Sequence, residues 1–85
     1  MRMANVIFQR EPIISHQEFI GILDQSGLGK RRPIDNPQLL KRMLEGSNLI
    51  VTARLDGELI GFLRGLTDFC FRCFIADLAV VKSWQ

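Results

Sequence analysis

The chain has 85 residues, of which 47% are hydrophobic and 24% charged, with a formal net charge of +2; this predicts one small globular domain spanning residues 1–85. Such a domain buries only roughly 60–65% of its unfolded surface, so its margin of stability is thin. The charge is too small to indicate nucleic acid or a membrane surface as partner. No apolar run approaches the length of a membrane span, and Met1-Arg2-Met3 is not followed by the apolar stretch of a secretory signal. The expectation is a cytoplasmic protein with reduced cysteines.

In chain order, residues 4–9 (ANVIFQ) are short, β-branched and aromatic, stop before Pro12 and read as a first strand. Ser15 followed three residues on by Glu18 is a capping box, with Ile14 and Phe19 at the two staple positions. Phe19, Ile22 and Leu23 give the helix that follows one apolar stripe, and Gly27 stops it. Residues 26–35 contain Gly27, Gly29, Pro33 and the basic run Lys30-Arg31-Arg32, and read as a loop. That run is either a solvated loop or a contact for phosphate or an acidic partner.

Asn36-Pro37 opens a second helix, with Asn as the cap and Pro at the first helical position, where no N–H is needed. Leu39, Leu40, Met43 and Leu44 are its expected buried face, Lys41, Arg42 and Glu45 its outer face, and Gly46 its end. From Asn48 the hydrophobic period changes to two. Leu49, Val51, Ala53 and Leu55 face one way, and Ile50, Thr52 and Arg54 the other. Asp56-Gly57 is a hairpin turn, and the return strand runs from Glu58 to Leu66. After a turn at Thr67-Asp68, a long strand is expected from Phe69 to Val81. The order is β-α-α-β-β-β, an α+β fold with a mostly antiparallel four-stranded sheet in the order 1-2-3-4.

Cys70 and Cys73 form a C-x-x-C, but no second pair exists and His16 is the lone histidine. A four-ligand zinc site cannot be assembled within one chain, so no metal is expected. In a strand, residues three apart point to opposite faces. The two cysteines are therefore expected as small buried or half-buried hydrophobes.

The order and spacing of several of these pieces resemble the GNAT N-acetyltransferase superfamily. The carrying residues are Val51 to Ala53 ahead of Asp56-Gly57, then Leu59-Ile60-Gly61-Phe62, then Thr67-Asp68, and finally Ile75-Ala76-Asp77-Leu78-Ala79-Val80. The resemblance covers nearly the whole chain but only the N-terminal half of the family's fold. It implies transfer of an acetyl group from acetyl-CoA, the co-substrate, to an amine acceptor that the sequence does not name. It also implies that the coenzyme's pantetheine arm bonds backbone groups of Leu78, Ala79 and Val80. Gln85 stands where the family's Q/R-x-x-G-x-G/A pyrophosphate loop would begin. The chain stops there and contains no Tyr for the family's usual acid, so the expectation is a truncated protein inactive on its own.

No catalytic residue is assigned. Asp77 lies in the appropriate strand for a general base, but a carboxylate facing solvent or bonding a neighbouring loop is the plainer reading. Glu58 and Asp68 lie at turns and are expected to be solvated, as is His16 in the first turn of its helix. Gly61 and Gly65 mark bulges or close packing rather than a ligand site. The alternative to an acetyltransferase is a non-catalytic interaction module, a homodimer joined through the strand from Phe69 to Val81. Its exposed residues would be Phe71, Phe74, Ile75, Leu78 and Val80.

Overall fold

The computed structural model describes residues 5–85. In chain order these form strand β1 (Val6–Arg10), helix α1 (His16–Ser26), a 3-10 turn (Leu28–Arg31) and helix α2 (Pro37–Glu45). Strands β2 (Leu49–Leu55), β3 (Glu58–Thr67) and β4 (Cys73–Val80) follow, and then a second 3-10 turn (Lys82–Trp84). The strands make one sheet in the order β1-β2-β3-β4, antiparallel at every pairing. β1 extends one residue beyond the expected Gln9, because Arg10 still pairs with Val51. Ala4, the expected first residue of that strand, lies outside the described residues.

Both helices begin where their capping residues place them. The Ser15 side chain accepts from Glu18 N at 3.0 Å, and the Glu18 carboxylate accepts from Ser15 N at 3.4 Å. Gly27, at φ 85°, closes α1 in a left-handed conformation that costs glycine little. The Asn36 side chain accepts from Leu39 N, and Pro37 takes the first helical position of α2. The buried stripe of α2 is Leu40 and Leu44, with Met43 half-buried. Leu39, expected on that stripe, is 38% exposed. It sits about 100° around the helix from Leu40 and faces solvent.

The helices cover one face of the sheet. Ile50 and Thr52 of β2, Phe62 of β3 and Ala79 of β4 are buried beneath Phe19, Ile22 and Leu23 of α1 and Leu40 and Leu44 of α2. The rings of Phe19 and Phe62 pack with centroids 5.5 Å apart. Burying each such side chain stabilises the fold by about 1.5–3 kcal/mol. The Asp56-Gly57 turn takes positive φ at both residues, 51° and 86°, as a tight primed hairpin turn requires. A Cβ on Gly61 would lie 3.1 Å from that of Ala53, and one on Gly65 would lie 3.1 Å from the Phe74 carbonyl oxygen. Register shifts adjoin both contacts, between Ala53 and Arg54 and between Arg64 and Gly65.

The last strand differs from expectation. β4 opens at Cys73, not Phe69, because Asp68 organises residues 68–72 into a hairpin loop. Its Oδ1 accepts from the backbone N–H groups of Cys70, Phe71 and Arg72 at 2.9–3.0 Å. Thr67 Oγ1 accepts from Phe69 N and donates to Arg72 O, and Phe69 takes φ 56°. Backbone donors bound to a side chain are not available to a ladder. Cys70 and Cys73 are consequently exposed free thiols rather than buried hydrophobes. The sheet face away from the helices carries Phe8, 75% exposed, and Leu78, 67% exposed, beside half-buried Val51 and Leu63.

Candidate functional site

Two ion networks fix the helix layer to the sheet. Arg54 of β2 donates to Glu11 (Nε to Oε2, 2.7 Å) and to Glu18 of α1 (Nη1 to Oε2, 2.6 Å); Thr52 Oγ1 also bonds Glu11. The Arg54 hydrogen bonds, aided by Thr52, hold the Glu11 carboxyl down at about 2 against burial, and they lower Glu18 as well. The two carboxylates, Glu18 foremost, raise the Arg54 guanidinium in turn. The second network centres on Asp77, which is 1% exposed. It accepts from Arg32 Nε at 2.7 Å, across from the 3-10 turn, and from Arg64 Nε at 2.5 Å on the neighbouring strand. Arg32 Nη2 further donates to Ala76 O, and Arg64 Nη1 to Met43 O and Ser47 Oγ. The carboxylate bonds a neighbouring loop, as one reading of the sequence had it, but it is enclosed rather than solvated. Both its oxygens are occupied, and its side chain is fully buried.

The opening lies on the outer edge of β4. A Val81 N to Ile60 O bond, with the pairs Gly61↔Val80 and Leu63↔Leu78, makes these two pairs the narrow kind without mutual hydrogen bonds. The peptide groups of Leu78 and Val80 therefore point away from β3, along the open edge. Those of Ala79 turn inward, and its side chain is buried under α1. The edge borders a cleft of about 250 Å³ that Leu78, Ala79, Val80 and Gln85 line on one side. Ser26, Gly27, Leu28 and Arg31 form its other wall. Gln85 Nε2 spans it, donating to Val80 O at 2.7 Å and to Ser26 O at 3.1 Å. All four residues that the family resemblance singled out thus line one cleft.

Other candidates lie elsewhere. His16 borders a separate groove of about 380 Å³ between the chain ahead of α1 and α2, with Ile13, Ile14, Lys41 and Leu44. It is half-buried there, not solvated as expected. Glu58 and Asp68 are exposed at their turns, and three backbone N–H groups, Phe71 first, hold Asp68 below the usual carboxylate range. Among the described residues no three of His, Cys, Asp and Glu converge as metal ligands, and no helix is long and apolar enough to cross a membrane. The sequence reading gave Arg31 only within the basic run, as a contact for phosphate or an acidic partner, and missed Arg54 and Arg64 as ion-pair residues; Arg31 lines the cleft and Arg32 pairs with Asp77. Strand alternation carries the signal for Arg54 and Arg64, since both fall at helix-facing positions where a guanidinium needs a partner.

No protein-family model and no curated protein matches the chain. Solved structures do. A probable acetyltransferase of unknown function from methicillin-resistant Staphylococcus aureus superposes with a TM-score of 0.74 at 22% identity, over 94% of this chain and 56% of its own. A GNAT-family acetyltransferase from Streptococcus pneumoniae gives 0.72 at 20% identity, over 94% and 55%. An aminoglycoside acetyltransferase from an uncultured soil metagenomic sample, solved with sisomicin, gives 0.59 at 18% identity, over 94% and 59%. The chain spans little more than half the length of each of these structures. At these identities the likeness is one of fold: the chain carries a partial GNAT-type acetyltransferase fold, two helices on one face of a four-stranded antiparallel sheet.

Proposed function

We propose that the β4 edge is the coenzyme-binding strand of a GNAT-type N-acetyltransferase, and that the pantetheine arm of acetyl-CoA lies along it as an extra strand would. The outward peptide groups of Leu78 and Val80, beside the open cleft, carry this reading. Main-chain donors and acceptors at a sheet edge recognise an extended amide chain without needing particular side chains. Gln85 Nε2 occupies the Val80 carbonyl and must swing aside or share it when the arm binds. Acetyl transfer by this chain alone is not expected. Asp77, the β4 carboxylate, is spent on two guanidinium groups, so no base is presented to an amine at the cleft. The chain's two free, exposed thiols suit a reducing compartment such as the cytoplasm.

The test is amide NMR of the 85-residue chain with acetyl-CoA. The Leu78 and Val80 resonances are expected to shift saturably, and their exchange with solvent to slow. Val80→Pro removes an outward N–H at an edge position that tolerates proline, so it should abolish the shifts while the fold persists. Binding that instead perturbs the His16 groove, or that survives Val80→Pro undiminished, overturns the reading. No release of coenzyme A above the uncatalysed rate is expected with any amine.

A second reading is a non-catalytic module in which two copies meet through β4. The observation favouring it is the uncovered apolar face holding Phe8, Ile75 and Leu78. A pairing of two β4 edges would use the same outward peptide groups of Leu78 and Val80, so coenzyme and second copy would compete for one edge.

A further inference from the structure

The C-x-x-C pair has no part in the β4 reading, and the hairpin loop changes its chemistry. In an extended strand Cys70 and Cys73 would stand about 10 Å apart along the chain and on opposite faces. A disulfide spans a Cα separation of only about 4.4–6.8 Å. The loop replaces that geometry with a turn. Asp68 Oδ1 gathers the N–H groups of Cys70, Phe71 and Arg72 around one atom. Arg72 O accepts in turn from Asp68 N at 3.3 Å and from Thr67 Oγ1 at 2.7 Å. The chain from Cys70 to Cys73 therefore folds back on Asp68 instead of extending. Cys73 pairs with Thr67 as the first residue of β4, and its Sγ lies beside Gly65, 3.5 Å from where a Cβ would stand. Both thiols are free and exposed. Two cations flank them: Arg72 lies over the Phe71 ring at 4.7 Å, and Arg10 over the Phe69 ring at 4.6 Å. Among the described residues neither arginine forms a salt bridge, and the carboxylate of the loop, Asp68, is turned onto backbone N–H groups.

We propose that Cys70 and Cys73 form a thiol–disulfide exchange site that reacts with a small anionic disulfide and closes to a disulfide within the loop. The thiolate of one cysteine attacks a sulfur of the small disulfide, giving a mixed disulfide and releasing one small thiol as its thiolate. The second cysteine gives its proton to solvent, attacks the protein sulfur of the mixed disulfide and expels the other small thiol. Two electrons pass from the protein pair to the small disulfide, and the two protons lost by the cysteines reach the two released thiols through solvent. The turn holds the second thiol at a high effective concentration, which favours closure over a lasting mixed disulfide. Arg72 and Arg10 favour the approach of an anion. Asp68 is a positioning residue that acts through the backbone it gathers.

The experiment equilibrates the reduced 85-residue chain in mixtures of glutathione and glutathione disulfide, an anionic disulfide, and reads intact mass after acid quenching. Wild type is expected to lose two hydrogen atoms per chain and to retain no glutathione. Cys70→Ser and Cys73→Ser are each expected to stop at a single glutathione adduct. The equilibrium constant for closure should fall at least about tenfold when the chain is unfolded in urea. Asp68→Ala should cause a similar fall with an unchanged spectrum for the core, whereas Asp68→Asn, which keeps an oxygen acceptor, should retain most of the closure. At low ionic strength glutathione disulfide should react at least about fivefold faster than cystamine, a cationic disulfide, with the advantage lost as salt rises and reduced in Arg72→Gln. A lasting glutathione adduct on wild type, or a disulfide-linked pair of chains, would overturn the proposal. So would closure as favourable in the unfolded chain as in the folded one. Cystamine reacting as fast as glutathione disulfide would overturn the anionic disulfide as the partner.

Discussion

Arg54 shows how one side chain ties three segments together. It joins Glu11 after β1, Glu18 in the first turn of α1 and the Gly57 carbonyl at the β2–β3 turn. Removing it as Arg54→Met leaves two partly covered carboxylates facing each other, with an expected loss of about 1–3 kcal/mol in chemical unfolding. The same cluster sets an acid limit. Glu11 is depressed from 4.5 to about 2 in the folded chain, so its contribution is complete above its unfolded value and fades as pH falls through the folded one. Stability is therefore expected to decline between about pH 5 and pH 2. In Arg54→Met the depression of Glu11 is lost, so the decline over this window should be shallower. Equal slopes for wild type and variant over that window would refute this account of the cluster. Half of the network was legible in the sequence. Ser15 and Glu18 announced a cap, but the second duty of Glu18 as a partner of Arg54 spans 36 positions, and nothing local in the sequence marks it.

At the scale of elements, local chemistry decided which expectations succeeded. The α1 and α2 starts, the Asp56-Gly57 hairpin and the alternation in β2 each rest on contacts within a few residues, and they emerge where the sequence places them. The start of β4 does not. Phe69, Cys70 and Phe71 suit a strand by side-chain type, but Asp68 draws their N–H groups into its own carboxylate. A turn residue thus prevails over the β-propensity of its neighbours. The same competition explains the exposure of Cys70. The cleft was legible only through the family resemblance. Gln85 lies next to Val80 because the second 3-10 turn folds the chain back, a closure that side-chain periodicity does not encode. The close approach of β3 and β4 makes a separate prediction. Gly65→Val would place a branched side chain against the Phe74 carbonyl, where even a Cβ lies at 3.1 Å. The backbone cannot yield as a flexible side chain would, so an overpacking loss of about 1–3 kcal/mol is expected by thermal or urea unfolding. Wild-type stability in Gly65→Val would show that the bulge at Arg64–Gly65 absorbs the group.

For the whole molecule, the unequal treatment of the two sheet faces is the dominant fact. One face is sealed by α1 and α2. The other exposes Phe8, Ile75 and Leu78 at 75%, 45% and 67%; Leu78 shares a cross-strand row with Leu63, Val51 and Arg10, and Phe8 lies in the next row opposite Ala53. At the hairpin end Phe71 and Phe74 add 78% and 65% exposed rings. A contiguous apolar surface of this kind is unusual on an isolated soluble domain, and β4 is also an unpaired edge. A second copy related by a two-fold axis would meet either the β4 edge, extending the sheet, or this face. Burial of apolar area stabilises an interface at about 25 cal/mol/Å², against association costs of about 4–15 kcal/mol. The balance favours a dimer only if the surfaces fit well. On the second reading, sedimentation at micromolar concentration shows a dimer that Leu78→Glu converts to monomer, with unfolding following dissociation. The Leu78 side chain lies on the bare face, so in a monomer the same substitution is a surface change worth within about 0.5 kcal/mol. A folded monomer in wild type, with Leu78→Glu unchanged in mass and melting, would exclude the second copy. The edge of β4 would then be left to the coenzyme.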